Sequence, residues 1–221
     1  MRMSHVTPGG SDLYAPLSPE LRTLALRGVV RSYPKKAVII NEGEMGESMF
    51  VLLKGSVKVF SCGNSGREIT FGRIYAGDYF GEMSLDGEPR SASIITLEPC
   101  ICAVLSRANV SEHLAEEPKF AMNLVLRVIR RARCATEIAR NMALLDVYGR
   151  LVMLLEAQGD LTDCRTAPDG SLESLTHQDI ASFLGASREM VSRLLKDLEK
   201  GGYISMATKR ITLLKKLPTR W

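Results

Sequence analysis

The 221-residue chain predicts an α+β fold in two unlike halves. A glycine-punctuated, jelly-roll-like β-barrel comes first, and one long helix then leads into a winged helix-turn-helix. Three observations predict this. Glycines at 43, 46, 55, 63, 66, 72, 77, 81 and 87 separate short apolar runs at the rhythm of an all-β sandwich or barrel. Residues 119–145 contain no Gly or Pro and repeat apolar residues at steps of four and three. Residues 175–204 read as two short capped helices around a glycine turn. The implied boundaries are a loose tail over 1–12, a barrel over 13–118, the helix over 119–145 and the winged helix-turn-helix over 146–221.

Composition narrows the function classes. A 45% hydrophobic and 24% charged chain is that of a soluble globular protein. No apolar run reaches the 18 residues of a membrane span. The N-terminus, MRMSHVTPGG, has no apolar signal core, so a cytoplasmic protein is expected. The five cysteines (62, 100, 102, 134, 164) form no CxxC pair, and the three histidines (5, 113, 177) are far apart. Reduced thiols are therefore expected, with no metal site, no cofactor and no cupin-like enzyme chemistry.

In the first half, strands are predicted at 37–40, 48–54, 56–61, 68–74, 91–95 and 100–105. Cys100 and Cys102, two apart on one strand, face the same side. One segment carries chemistry: Phe80-Gly-Glu-Met-Ser-Leu-Asp-Gly-Glu-Pro-Arg-Ser-Ala-Ser93. The Arg90 guanidinium, the Ser91 hydroxyl and exposed backbone N–H groups can hold a phosphate. Glu82 can accept from a ribose hydroxyl of the same ligand, with Gly81 and Ala92 leaving room for close approach. On the residues alone, Glu82 and Arg90 serve equally well as a salt bridge at a turn.

Along the helix, Ala121, Val125, Val128, Ala132, Ala135, Ala139 and Met142 form a coiled-coil seam of small residues suited to two identical helices. The competing explanation is a single amphipathic helix packed on its own barrel. Residues 146–149 form a hinge before a second helix to about residue 158, and the polar stretch 159–174 is a surface loop.

The second half begins with a capping box, Thr176 with Asp179, ahead of the apolar face Ile180, Ala181 and Leu184. Gly185 supplies the turn, and Ser187 caps the next helix, whose inward face is Met190, Val191, Leu194, Leu195 and Leu198. Its outer face is Arg188, Glu189, Ser192, Arg193 and Lys196. Arginine forks onto guanine and glutamate accepts from cytosine, so these residues suit the base edges of a major groove. Thr176, His177 and Ser187 are further expected DNA-binding residues. Residues 203–205 and 210–213 form the wing, with Lys209 near phosphates. From Thr176 onward nine Lys or Arg face four acids, a local surplus of +5 in a chain of net +4, the footprint of a nucleic-acid binder.

The two motifs, FGEMSLDGEPRSAS and SREMVSRLLKDLE, lie on either side of the long helix. In that order the chain resembles the catabolite activator protein / fumarate-nitrate regulator (CRP/FNR) family from about residue 17 to 214. The resemblance implies a cyclic-nucleotide-binding barrel. Glu82 would sit on the ribose, Arg90 and Ser91 on the cyclic phosphate, and Ala92 would make a backbone contact, with Gly81 and Met83 lining the loop. It implies a homodimeric, DNA-binding transcription regulator of palindromic sites with a half-site like TGTGA, and RNA polymerase as a partner. Cyclic AMP is the expected effector. The Glu82–Arg90 interval is shorter than in familiar cyclic-AMP binders, and the family's adenine-facing Thr-Ser pair is Ala135-Thr136 here. Cyclic-di-GMP control, or DNA binding without a nucleotide, is therefore the alternative.

Overall fold

The computed structural model describes residues 12–63, 67–156, 175–207 and 210–218. The segment Met49–Lys54 (β3) explains the architecture around it. Its MFVLL run is buried without alternation because it has protein on both faces. Phe50 and Leu52 point between two sheets, joining Ile40, Val57, Ile74, Phe80, Ile94, Cys100 and Cys102. Met49, Val51 and Leu53 point the other way, onto Leu21, Leu24, Val110 and Phe120 of the flanking helices. Burying a side chain of this size contributes about 1.5–3 kcal/mol, so the strand anchors both layers.

The strands are β1 (Val29–Tyr33), β2 (Val38–Ile40), β3, β4 (Ser56–Cys62), β5 (Glu68–Tyr75), β6 (Asp78–Phe80), β7 (Ser93–Thr96) and β8 (Cys100–Leu105). They form two antiparallel four-stranded sheets, ordered β1-β8-β3-β6 and β2-β7-β4-β5. Both cysteines predicted to share a face lie in the core between them, and burial pushes the Cys102 thiol up to about 12. Among the described cysteines Cys134 is also buried, whereas Cys62 is exposed. Cys164 lies outside the described residues. Strands β1 and β6 have no counterpart in the sequence reading. Strand β1 is an exposed edge whose VVRSY carries no alternation, and β6 is three residues long.

Helix α1 (Pro19–Ala25), capped by Ser18, and α2 (Arg107–Glu116), with a Ser106/Asn109 capping box, close the outer face of the first sheet. Helix α3 (Pro118–Leu144) matches the predicted long helix to within a residue at each end. Only Phe120 and Cys134 are buried on it. Val125, Val128, Ala132, Ala135 and Ala139 of the expected seam are exposed, but Ala121 and Met142 are half-buried. Met142 turns instead toward the second domain, its Cε lying 3.0 Å from where a Cβ on Gly185 would stand. Met122, Val125, Ile129, Ala132, Thr136, Ala139 and Ala143, spaced three and four apart, are likewise all exposed. Val125, Ala132 and Ala139 belong both to this exposed series and to the seam expected from the sequence.

Beyond the hinge come α4 (Val147–Glu156), α5 (His177–Leu184), α6 (Arg188–Lys200), β9 (Ile204–Ala207) and β10 (Arg210–Leu213). Leu151, Leu155, Ile180, Leu184, Val191, Leu195 and Leu198 form their common core. Met190, assigned inward from the sequence, is 46% exposed. The inward position at this level of α6 is taken by its neighbour Val191, which is fully buried. Strands β9 and β10 pair as the wing; Lys209, like the expected tail over 1–11 and the expected loop over 159–174, lies outside the described residues. Arg150 staples the hinge, with Nε donating to Leu184 O at 3.0 Å and Nη1 to Leu145 O at 2.7 Å. It thereby satisfies carbonyls at the C-terminal ends of α3 and α5. No helix among the described residues is long and apolar enough to cross a membrane.

Candidate functional site

The FGEMSLDGEPRSAS segment builds one wall of a cavity of about 590 Å³ between the barrel and α3. Gly81 starts the wall with φ +83°, a left-handed conformation that favours glycine. A Cβ there would stand 3.0 Å from both Arg90 Nη1 and Ser48 O. Residues Glu82–Asp86 then form a single 3₁₀ turn, and Asp86 accepts from Glu88 N at 2.9 Å to lead the chain back.

Arg90 is 8% exposed. Its Nη1 donates to Gly81 O at 2.8 Å and to Ser84 Oγ at 2.6 Å, and its Nη2 donates to Ser48 O at 2.7 Å. Burial pulls this guanidinium below its ordinary value and the nearby Glu82 carboxylate pushes it back. It stays a cation, since arginine does not deprotonate in proteins. Glu82, 5% exposed, is not its salt-bridge partner; that role belongs to Arg131 of α3. The second carboxylate oxygen of Glu82 is buried without a hydrogen bond among the described residues.

Ser91 is exposed, with its hydroxyl 3.4 Å from the Met83 sulfur, and both residues line the cavity with Ala92. All six cassette residues expected from the sequence therefore converge on one space. Thr136 does not: its hydroxyl donates to Ala132 O at 3.0 Å, and it lies on the exposed stripe of α3. Its neighbours Cys134, Ala135 and Ile138 line the cavity instead, because one helical step is about 100° and turns Thr136 out of its own chain's cavity.

Several lining residues were not foreseen from sequence. Arg127, Arg130 and Arg131, spaced three and four apart on α3, all line the cavity. Arg127 pairs with Asp78 and lies 4.9 Å over the Tyr79 ring, and Arg131 Nη2 donates to Tyr79 O at 3.0 Å. Burial, with Glu82 nearby, pushes the Tyr79 phenol up to about 12, so it stays neutral. With Arg73 of β5 and Arg90, five arginines face two carboxylates among the described lining residues. The i, i+3, i+4 spacing was legible in the sequence, but nothing there said that this face meets the barrel.

The second site is the outer face of α6. Thr176 Oγ1 accepts from Asp179 N at 3.1 Å and Asp179 Oδ2 accepts from Thr176 N at 2.9 Å, completing the capping box. Gly185 makes the turn at φ +61°, and Ser187 Oγ caps Met190 N at 3.2 Å. His177 Nδ1 lies 2.9 Å from Ser192 Oγ, tying the tip of α5 to the middle of α6. Arg188, Glu189, Arg193 and Lys196 are exposed, and Ser192 is half-buried by the His177 contact. Ser187, Arg188, Glu189 and Ser192 share one surface hollow.

Two family models match these two regions. Residues 30–117 match the cyclic nucleotide-binding domain, and residues 174–204 match the crp family of bacterial regulatory proteins. The chain is 33% identical over 199 residues to the cAMP-activated global transcriptional regulator CRP of Pasteurella multocida, covering 89% of this chain and 95% of that protein. The chain belongs to the CRP/FNR family. Another CRP/FNR relative, the cAMP-activated global transcriptional regulator Vfr of Pseudomonas aeruginosa, is 33% identical over 188 residues, covering 83% and 88% of the two chains. Among solved structures, the catabolite activator protein of Thermus thermophilus has a TM-score of 0.53 at 27% identity, covering 91% and 92%. The c-di-GMP-responsive regulator CLP of Xanthomonas campestris shares the fold, with a TM-score of 0.75 at 24% identity, covering 88% and 97%. The CRP/FNR barrel and helix-turn-helix here are thus a cyclic nucleotide-binding domain and a DNA-binding domain of a transcription regulator.

Proposed function

We propose that the chain acts as a homodimer that binds palindromic DNA, with its DNA affinity set by cyclic AMP in the barrel cavity. The observation that carries the reading is the cavity itself. Glu82 and Arg90 are both buried at the junction of barrel and α3, in a lining with more arginine than carboxylate. Such a space favours an anion and offers Glu82 as acceptor for a hydroxyl. Arg90 and Ser91 would hold the phosphate, Glu82 the ribose, and Gly81, Met83 and Ala92 the adjoining loop.

The exposed apolar stripe of α3 supports a parallel pair of helices, which would set the two copies of α6 one DNA turn apart. Thr136 on that stripe lies beside the cavity-lining Ala135, so the effector would sit next to the dimer seam. Arg188, Glu189 and Arg193 would read bases of a TGTGA-like half-site, while Thr176, His177, Ser187, Ser192, Lys196 and Lys209 would position the helices or touch phosphate. RNA polymerase is the further partner proposed for this role. The arginine surplus also suits a ligand with two phosphates, and cyclic-di-GMP is the second reading.

Calorimetric titration with each nucleotide tests this. Saturable binding of cyclic AMP at one site per chain, lost in Arg90→Leu, is the expected result. Binding of cyclic-di-GMP alone would transfer the cavity to that ligand. Binding of neither, in a dimer that still recognises a TGTGA palindrome, would make DNA binding independent of nucleotide.

A further inference from the structure

Arg73 belongs to two sites at once. It stands on β5 and lines the effector cavity, and its Nη2 also reaches Asp179 Oδ1 of α5 at 3.2 Å. The pair is partly shielded from water, with side chains 13% and 23% exposed, so it is screened less than a surface pair. Arg73 Nε is buried with no hydrogen bond among the described residues, leaving donor capacity unused. Its cross-strand neighbour Lys58 is already committed to Glu68 at 2.7 Å and supplies nothing to either site.

Asp179 is equally divided. Oδ2 closes the capping box on Thr176, and Oδ1 faces Arg73. The helix that carries it moves with the recognition helix, because α5 and α6 share the core of Ile180, Leu184, Val191 and Leu195 and the His177–Ser192 contact. A charge pair between β5 and α5 therefore restrains the whole DNA-binding unit.

We infer that Arg73 is an effector-binding residue outside the cassette, and that the effector anion and Asp179 compete for it. The inference rests on the effector reading above. An anion in the cavity draws the Arg73 guanidinium inward and weakens the pair, so effector binds more tightly to the undocked arrangement of α5 and α6 than to the docked one. That difference in affinity is what lets a ligand shift the equilibrium, and the coupling must run equally in both directions.

Two variants test it, R73M and D179N, the latter keeping a side-chain oxygen for the cap. Cyclic AMP affinity is read by calorimetry and ligand-free affinity for a TGTGA palindrome by fluorescence anisotropy. D179N is expected to bind cyclic AMP about fivefold more tightly, the low end of coupling between linked sites. R73M is expected to bind it at least about fivefold more weakly, yet to bind DNA without ligand about fivefold more tightly. The sign is decisive, since loss of a cation by itself lowers affinity for DNA. Unchanged cyclic AMP affinity in D179N, or unchanged or weaker ligand-free DNA binding in R73M, overturns the inference. If R73M loses its cooperative melt, D179N decides alone through cyclic AMP affinity. Cyclic AMP binding that is lost in Arg90→Leu but indifferent to D179N leaves the effector reading standing and removes only the competition. No cyclic AMP binding by the wild-type protein overturns both.

Discussion

The cavity and the recognition helix each present arginine beside glutamate, and they hold them in opposite ways. In the cavity, Arg90 and Glu82 are buried and already bonded, to Gly81, Ser84 and Ser48 in one case and to Arg131 in the other. On α6, Arg188, Glu189 and Arg193 are exposed. A buried charge that lost its partners would cost several kcal/mol, so the cavity must be organised before ligand arrives. An exposed charge is stabilised by water, and if DNA replaces that water as proposed, this face needs only a rigid helix beneath it. Substitutions in the first region should therefore disturb folding and binding together, and those in the second should disturb binding alone.

The strongest way to break that contrast is to remove the support beneath the exposed face. Leu195→Ala deletes a fully buried side chain between α5 and α6 and should cost about 2–5 kcal/mol, read as a lowered denaturant midpoint of the DNA-binding domain. Arg90→Leu leaves Gly81 O and Ser48 O without their donor. It should lower stability by about 1–3 kcal/mol in thermal or chemical melts besides abolishing nucleotide binding. An unaltered melt would show that Arg90 is not part of a preorganised wall. Arg188→Ala should leave the melt unchanged and cost about 1–3 kcal/mol of specific binding, confined to one base position in a competition series of altered half-sites. Equal weakening on every sequence would assign Arg188 to phosphate instead. The smallest effect is expected for Thr176→Ala, which opens the capping box of α5 and should cost about 0.5–2 kcal/mol, measurable by denaturant titration.

How far each region was legible follows the same contrast. The helix-turn-helix could be read almost residue by residue, since capping, the left-handed glycine and helical periodicity are local signals: Thr176, Asp179, Gly185 and Ser187 all do what their types dictate. Met190 misled because periodicity marks an apolar stripe but not which residue at its edge the core covers: Val191 is covered and Met190 is not. The cassette was legible as a loop of small residues around Glu82 and Arg90. The arginines opposite it were not, because Arg73, Arg127, Arg130 and Arg131 sit on β5 and α3 with nothing local to announce a shared space. The surroundings of α3 have the same origin: only the docked helix shows that Ala135 borders the cavity and that Met142 turns toward Gly185.

The amino-acid order alone determined the long helix and the caps and turn of the helix-turn-helix motif. Each of these depends on backbone preference or on neighbours within a few positions. The tertiary structure alone decided that Glu82 pairs with Arg131 rather than Arg90, that Thr136 faces out of its own cavity, and that Arg73 lies between effector space and Asp179. Those facts depend on which faces distant segments present to one another, and side-chain charge acts through space without regard to separation along the chain.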